Sequence, residues 1–268
     1  MSPRAPILAD KHYETGSAFT PENLLREARR QKGIEETRSP AICVLDPDGD
    51  LVRQLERAGR TQLDPGWPCY HTDLHRVRES DLEVGIVGRA VGASFAVLIA
   101  EELFASGCEL LISMTSAGQL VPVPPPPYFI LIDKALRDEG TSYHYLPPGD
   151  FSHAAEALLE SLSGAFAHLP VPVERGAVWT TDAPFRETAQ TIEEMKSKGL
   201  LAVEMEAAAL YAFGAARSKP VICFAHVTNQ MARIEGDFEK GEADGTVDAL
   251  AAIRATAEAW RRRADRPA

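Results

Sequence analysis

The chain has 268 residues, 45% of them hydrophobic, enough to bury one sizeable core and close to the upper limit for a single domain. Lys and Arg number 28 against 39 Asp and Glu, and the resulting net charge of −11 argues against nucleic acid or an anionic membrane as the main partner. No apolar run is long enough to span a bilayer, the segment Met1–Pro6 lacks the apolar stretch of a signal peptide, and the four cysteines (Cys43, Cys69, Cys108, Cys223) are scattered, so the expectation is a cytoplasmic protein with reduced thiols.

Residues 1–40 read as an N-terminal extension carrying one helix, Pro21–Gln31. From Ala41 onward, short β-rich apolar runs alternate with longer helical patterns. In chain order these are strands Ala41–Asp46 and Glu83–Val87, helix Gly92–Ser106, strands Glu109–Met114 and Tyr128–Asp133, helix Ser152–His168 and strand Gly176–Thr180. Helices Arg186–Ser197 and Ala202–Ala216, strand Pro220–Thr228 and helix Thr246–Arg263 complete the pattern, with 261–268 expected to fray. The proline run Pro122–Pro127 reads as a rigid polyproline-like connection. Continuously apolar strands such as Leu110-Leu-Ile112 and Phe129-Ile-Leu-Ile132 predict a sheet covered on both faces. The expected fold is therefore one three-layer α/β/α domain with a mixed central sheet.

The most informative stretch is Leu201-Ala-Val-Glu-Met-Glu-Ala-Ala-Ala-Leu-Tyr-Ala-Phe213. It has no polar face, and a helix that is apolar all round is a buried helix. Yet Glu204 and Glu206 stand at its start. A helix beginning near Ala202 holds both in its first turn and puts Glu206 on the stripe of Leu210 and Phe213. A buried carboxylate needs hydrogen bonds or a ligand to satisfy it, and one held in a dry site suits a pair of vicinal hydroxyls. That chemistry points to a sugar.

Three strand ends carry small or polar clusters suited to a shared pocket. Gly85-Ile-Val-Gly-Arg-Ala-Val-Gly92 places Arg89 at a strand-to-helix turn, but it is not the G-x-G-x-x-G of a dinucleotide site. Ser113-Met-Thr-Ser-Ala-Gly-Gln119 offers the hydroxyls of Thr115 and Ser116 to an anion or a sugar. Val227-Thr-Asn-Gln230 ends in amides suited to a heterocycle. His71 and His75 have the spacing of a helical metal pair, but Thr72 stands where H-E-x-x-H needs Glu, so two exposed histidines before a strand are expected. There is no P-loop and no G-x-S-x-G elbow. No metal and no organic cofactor are expected.

These motifs together resemble the purine nucleoside/uridine phosphorylase family. Val203-Glu-Met-Glu-Ala-Ala-Ala-Leu-Tyr211 closely resembles that family's ribose-binding Glu-Met-Glu segment, and it is the specific part of the match. Ser116-Ala-Gly118 resembles its phosphate loop, Arg137–Tyr145 the segment after the next strand, and Thr180-Thr-Asp-Ala-Pro-Phe-Arg186 its base-pocket loop. Val227-Thr-Asn229 falls where the family faces the base. The resemblance implies that Glu206 accepts hydrogen bonds from the ribose 2′- and 3′-hydroxyls, with Met205 packed under the sugar and Glu204 in support. It implies that Phe185 stacks near the base, that Arg186 and Asn229 bond it, and that Ser116, Thr115 and Arg89 hold phosphate. His12 is implied as the residue that closes the 5′ end of a neighbouring subunit's site, in a dimer or hexamer.

Two departures stand out. An Arg usual in the family is replaced by Ser113, and the family's Gly-Asp-Pro phosphate loop is replaced by Leu45-Asp-Pro-Asp-Gly-Asp50. The implied function is phosphorolysis of a nucleoside to free base and ribose 1-phosphate, with nucleoside and inorganic phosphate as the partners. Hydrolytic cleavage on the same fold, or nucleoside binding without catalysis, are the alternatives that Ser113 keeps open.

Overall fold

A computed structural model of the chain describes residues 5–264, apart from 10, 80, 122, 124 and 232–236. Its strands are β1 (Ile42–Asp46), β2 (Gln62–Leu63), β3 (His75–Glu79), β4 (Leu82–Gly88), β5 (Leu110–Gln119), β6 (Tyr128–Asp138), β7 (Phe151–His153), β8 (Val173–Thr181), β9 (Ala202–Glu204) and β10 (Val221–Asn229). Its helices are α1 (Pro21–Lys32), α2 (Asp50–Arg57), α3 (Ala93–Ala105), α4 (Glu156–Ser161), α5 (Ala189–Ser197), α6 (Ala207–Arg217) and α7 (Thr246–Ala264). Local chemistry sets several boundaries. The Thr20 hydroxyl accepts a hydrogen bond from Asn23 N and Pro21 opens α1, which stops at Gly33 in the left-handed region. Thr188 caps α5 in the same way.

The ten strands form one mixed sheet, as expected for this α/β domain. β5 is its branch point. β10 runs parallel along one edge of β5, from Leu111 to Gly118. The other edge is shared: β1 takes Leu110–Ser113, and β9 takes Gly118–Gln119 in the antiparallel sense. Because β10 also pairs with β6, β6 with β8 and β8 with β9, the sheet closes on itself around β5. β4 and β3 extend it outward from β1. Helix α3 packs against α1 and α6, whereas α7 packs against α2 and α4. The main core lies between these groups and the sheet. A smaller cluster, with Trp179, Met195 and Leu200, sits at the β8–β9 side.

Several elements depart from the sequence reading. The stretch Ala202–Ala216 is not one helix: Ala202–Glu204 pair into the sheet, and helix α6 begins at Ala207. Tertiary strand pairing overrides helix propensity there. From Ala207 to Gly214 every residue of α6 is buried, as an all-apolar helix requires. Ser152–His168 is strand β7 followed by the short α4, and Gly164, with a φ of +73°, lies among the turns beyond it. The helix expected from Arg186 starts at Ala189, after a tight turn at Pro184–Arg186. β5 runs through the cluster expected at its end, reaching Gln119. Helix α2 and strands β2 and β3 were not expected. His75 lies in β3 and is buried, not exposed; only His71 is. Helix α7 continues to Ala264, into the stretch expected to fray, and 265–268 lie outside the described residues, as do Pro122 and Pro124 of the proline run.

Candidate functional site

Between the stretch of β5 paired with β1 and the stretch paired with β9, residues Met114–Ala117 face neither strand. The sheet forks here, and a fork beside the carboxyl ends of parallel strands is where α/β folds hold ligands. The expected clusters converge on it. Asp46 ends β1, Gly88 ends β4, Thr115 and Ser116 line the fork, Thr180 and Thr181 end β8, and Thr228 and Asn229 end β10.

The paired carboxylates stand at this fork, each with a distinct task. Glu204, at the end of β9, turns back on the helix that follows. Its Oε2 accepts from Glu206 N and Ala207 N, both at 2.7 Å, and its Oε1 accepts from the Thr180 hydroxyl. The Thr180 oxygen in turn accepts from Ala208 N at 3.0 Å. Three of the unpaired N–H groups at the start of α6 are thereby satisfied by β8 and β9. Glu206 is the residue before α6. Its Oε1 accepts from Gly92 N and its Oε2 from the Thr115 hydroxyl, both at 2.7 Å. Each oxygen retains a second acceptor direction. Burial raises both carboxyls. For Glu204 the nearby Glu206 charge adds to it and outweighs the three donors, pushing it up to about 8. Met205, between them, is half-buried.

Beside Ser116 and Thr115 opens a cleft lined also by Asp46, Asp48, Asp50, His226, Thr228, Lys240 and Gly245. Asp46 is buried. Its Oδ2 accepts from Val52 N at 3.0 Å, and burial, with the charges of Asp48 and Asp50, pushes it up to about 7. Lys240 is half-buried and reaches Asp50 Oδ2 at 2.5 Å and Asp48 Oδ2 at 3.5 Å. His226 stacks on Phe129 with ring centroids 4.6 Å apart, and burial holds it down to about 4, so its imidazole is neutral. Gly245, with a φ of +78°, makes room for that ring: a Cβ there would lie 2.2 Å from His226 Cε1. No group of three or more His, Cys, Asp or Glu among the described residues is arranged to hold a metal ion.

The remaining expected residues are more scattered. Asn229 is buried at the end of β10, its Oδ1 accepting from Met231 N at 2.9 Å and its Nδ2 donating to Thr228 Oγ1 at 3.2 Å. Arg89 has a φ of +69° and is exposed. Its stem lies against Gly49, and it makes no ion pair among the described residues. Ser113 is buried inside the sheet, its hydroxyl without a hydrogen-bond partner among the described residues, and as a neutral side chain it supplies no cation to the cleft. Phe185 and Arg186 are both exposed on their turn, and Phe185 is fully so. His12 is exposed in a segment that rests on Ser142–His144 through Lys11 Nζ to His144 Nδ1 (3.0 Å) and Tyr13 to Tyr143 O (3.3 Å). It is not brought to the fork of its own chain. Asp46, His226 and Lys240 were not expected in the site. The signal for the first lay in Asp46-Pro-Asp-Gly-Asp50, three carboxylates at alternate positions after an apolar strand, and for His226 in its place within an otherwise apolar run.

A model of the Phosphorylase superfamily matches residues 41–261. The DeoD-type purine nucleoside phosphorylase of Colwellia psychrerythraea is 27% identical over 150 residues, which is 55% of this chain and 64% of that protein. An uncharacterized protein of Acanthamoeba polyphaga mimivirus is 28% identical over 127 residues, 47% of this chain and 49% of that one. The chain thus spans about half to just under two thirds of the length of these relatives. Among solved structures, uridine phosphorylase from Vibrio fischeri superposes with a TM-score of 0.70 at 24% identity, covering 85% of this chain and 94% of that one. AMP nucleosidase from Bacteroides thetaiotaomicron does so with a TM-score of 0.69 at 18% identity, covering 92% and 100%. At these identities the likeness is one of fold, and the fold is shared by phosphorylases and nucleosidases alike.

Proposed function

The chain belongs to the phosphorylase superfamily, and from that premise we propose that it cleaves the N-glycosidic bond of a nucleoside with water, rather than phosphate, as the nucleophile. One observation carries the choice. The corner beside Ser116 and Thr115, where a phosphate nucleophile is expected, holds Asp46, Asp48 and Asp50, and the ammonium that lines it, Lys240, is already paired to two of them. A phosphate dianion entering that corner meets carboxylates of its own sign in a partly desolvated cleft.

In this reading Glu206 takes the ribose 2′- and 3′-hydroxyls on its two open acceptor directions. Glu204 holds the start of α6 so that Glu206 keeps its place, and Met205 lies under the sugar. As the glycosidic bond lengthens, positive charge grows on the sugar and the Glu206 carboxylate stabilises it. Asn229 donates a hydrogen bond to the departing base, which leaves with the bond's electron pair and takes its proton from solvent. Asp46, near neutrality, takes a proton from the water that attacks the anomeric carbon, leaving free base and pentose. Assembly with a second copy belongs to the same proposal, because the exposed Phe185 and Arg186 need a covering surface to face a base.

The test is base release from a panel of nucleosides with and without phosphate. Release that ignores phosphate and yields free pentose is expected, and Asp46→Asn should lower kcat by about 100-fold or more, the usual scale for a lost general base. The phosphorolytic reading has one observation in its favour: the exposed Arg89 beside the acidic loop, which makes no ion pair among the described residues. Phosphate-dependent release that falls away in Arg89→Ala would restore it. Binding without release would leave a nucleoside-binding protein.

A further inference from the structure

The segment Asp237–Gly245 returns across the carboxyl end of β10 and is tied down at several points. Asp237 accepts from Gln230 N at 2.9 Å, and Glu239 N donates to Thr228 O at 2.8 Å. Asp244 Oδ2 accepts from Gln54 Nε2 at 2.5 Å and faces Arg53 at 3.6 Å. Between these points Lys240 spans the cleft to Asp48 and Asp50 on the opposite wall. Arg53 of α2 also pairs with Asp50, so the acidic loop is held by two cations from different elements. Among the described residues Asp46 has no cation of its own. It receives Val52 N, its carbonyl accepts Arg89 N at 2.9 Å, and His226 across the cleft is neutral.

We propose that Lys240 is a positioning residue of this site: from across the cleft it neutralises Asp48 and Asp50, so that Asp46 beside them is free to work as a base, and the same ion pairs close 237–245 over the cleft. The proposal rests on the reading of Asp46 as the base that activates water. Asp48 and Asp50 both act on Asp46, and Asp48 also acts on Glu206. Without Lys240 the one cation paired with them among the described residues is Arg53, which is more exposed and better screened. Asp46 should then hold its proton to higher pH, by roughly one pH unit for a neighbouring charge left uncompensated at this range.

The experiment is a carboxyl-13C NMR titration of aspartate-labelled full-length protein, comparing the natural sequence with K240M and K240R, the Asp46 resonance being assigned through D46N. The Asp46 midpoint should rise in K240M by about one pH unit and return in K240R, and the acid limb of kcat/KM for base release should move with it. An Asp46 midpoint unmoved in K240M overturns the proposal, even if thermal stability falls. Should K240M not fold, the double variant K240Q/D50N removes one charge of each sign, and its Asp46 midpoint should stay near that of the natural protein; a rise there overturns the proposal equally. The NMR readout does not depend on turnover. Absence of any base release from the natural protein therefore refutes the hydrolytic reading separately.

Discussion

Glu204→Ala removes the acceptor of three buried donors at once: Glu206 N, Ala207 N and the Thr180 hydroxyl. Leaving a buried donor unpaired costs about 1–3 kcal/mol, so the variant should lose about 3–6 kcal/mol, with water entering the new space holding it to the lower half. Against a usual domain stability of about 5–15 kcal/mol, that leaves a protein near its unfolding threshold. Glu204→Gln keeps one carbonyl oxygen for the two backbone N–H groups and misplaces only the Thr180 bond, a loss of about 1–2 kcal/mol. Urea unfolding at pH 5 measures both. The pH dependence then separates charge from hydrogen bonding. Glu204 is raised from 4.5 to about 8 in the fold, so its contribution is complete below pH 4.5 and is lost as the pH rises through 8. Over that window the natural protein should lose stability relative to Glu204→Gln by up to about 1.4 kcal/mol per pH unit. Glu204→Ala within 1 kcal/mol of the natural protein at pH 5, or parallel pH curves for the Gln variant, would refute the reasoning.

Glu206→Ala should cost at least about 2 kcal/mol of transition-state stabilisation, roughly a 30-fold fall in kcat/KM for base release, since it strips charge-assisted hydrogen bonds from a buried site; an unchanged kcat/KM would remove Glu206 from the sugar grip. Gly245→Ala forces a Cβ to within 2.2 Å of His226 Cε1 at a φ of +78°, and a fall of about 2 kcal/mol is expected in urea unfolding, from left-handed strain plus the displaced ring. His226 is depressed from 6.5 to about 4, so its contribution is present above pH 6.5 and disappears as the pH falls through 4. Comparing the natural protein with His226→Gln across that window should show a relative loss of up to about 3 kcal/mol in the natural protein alone.

The fold was legible wherever apolar runs were continuous, as in β1, β4, β6 and β10, because burial on both faces leaves a compositional trace in a single strand. It was obscured where partners distant in the chain decide the state. Ala202–Glu204 carries helix-forming residues and becomes a strand only because β5 and β8 offer it open edges. Ser152–His168 looked like one helix by period, and its division reflects strand pairing at β7. The carboxylates proposed to face a sugar were readable because two of them in an apolar segment demand a partner. The cleft beside them was not, since its character comes from Asp46 at the end of β1 meeting His226 and Lys240, which lie at least 180 positions further along the chain and reach it only in the folded protein. Glu204, expected in support of Glu206, accepts from the backbone N–H groups of Glu206 and Ala207.

The closure of the sheet has a consequence for how the protein is made. β10 fills the gap between β5 and β6, yet it leaves the ribosome about ninety residues after β6 ends. Until Val221–Asn229 is synthesised, two long apolar strands expose unpaired edges in the nascent chain, the geometry that invites edge-to-edge association. Chains arrested before Val221 should therefore be chaperone clients, while chains that extend past Asn229 hide both edges in a single step. The same strand that carries Asn229 into the site is the one whose arrival ends the period of aggregation risk.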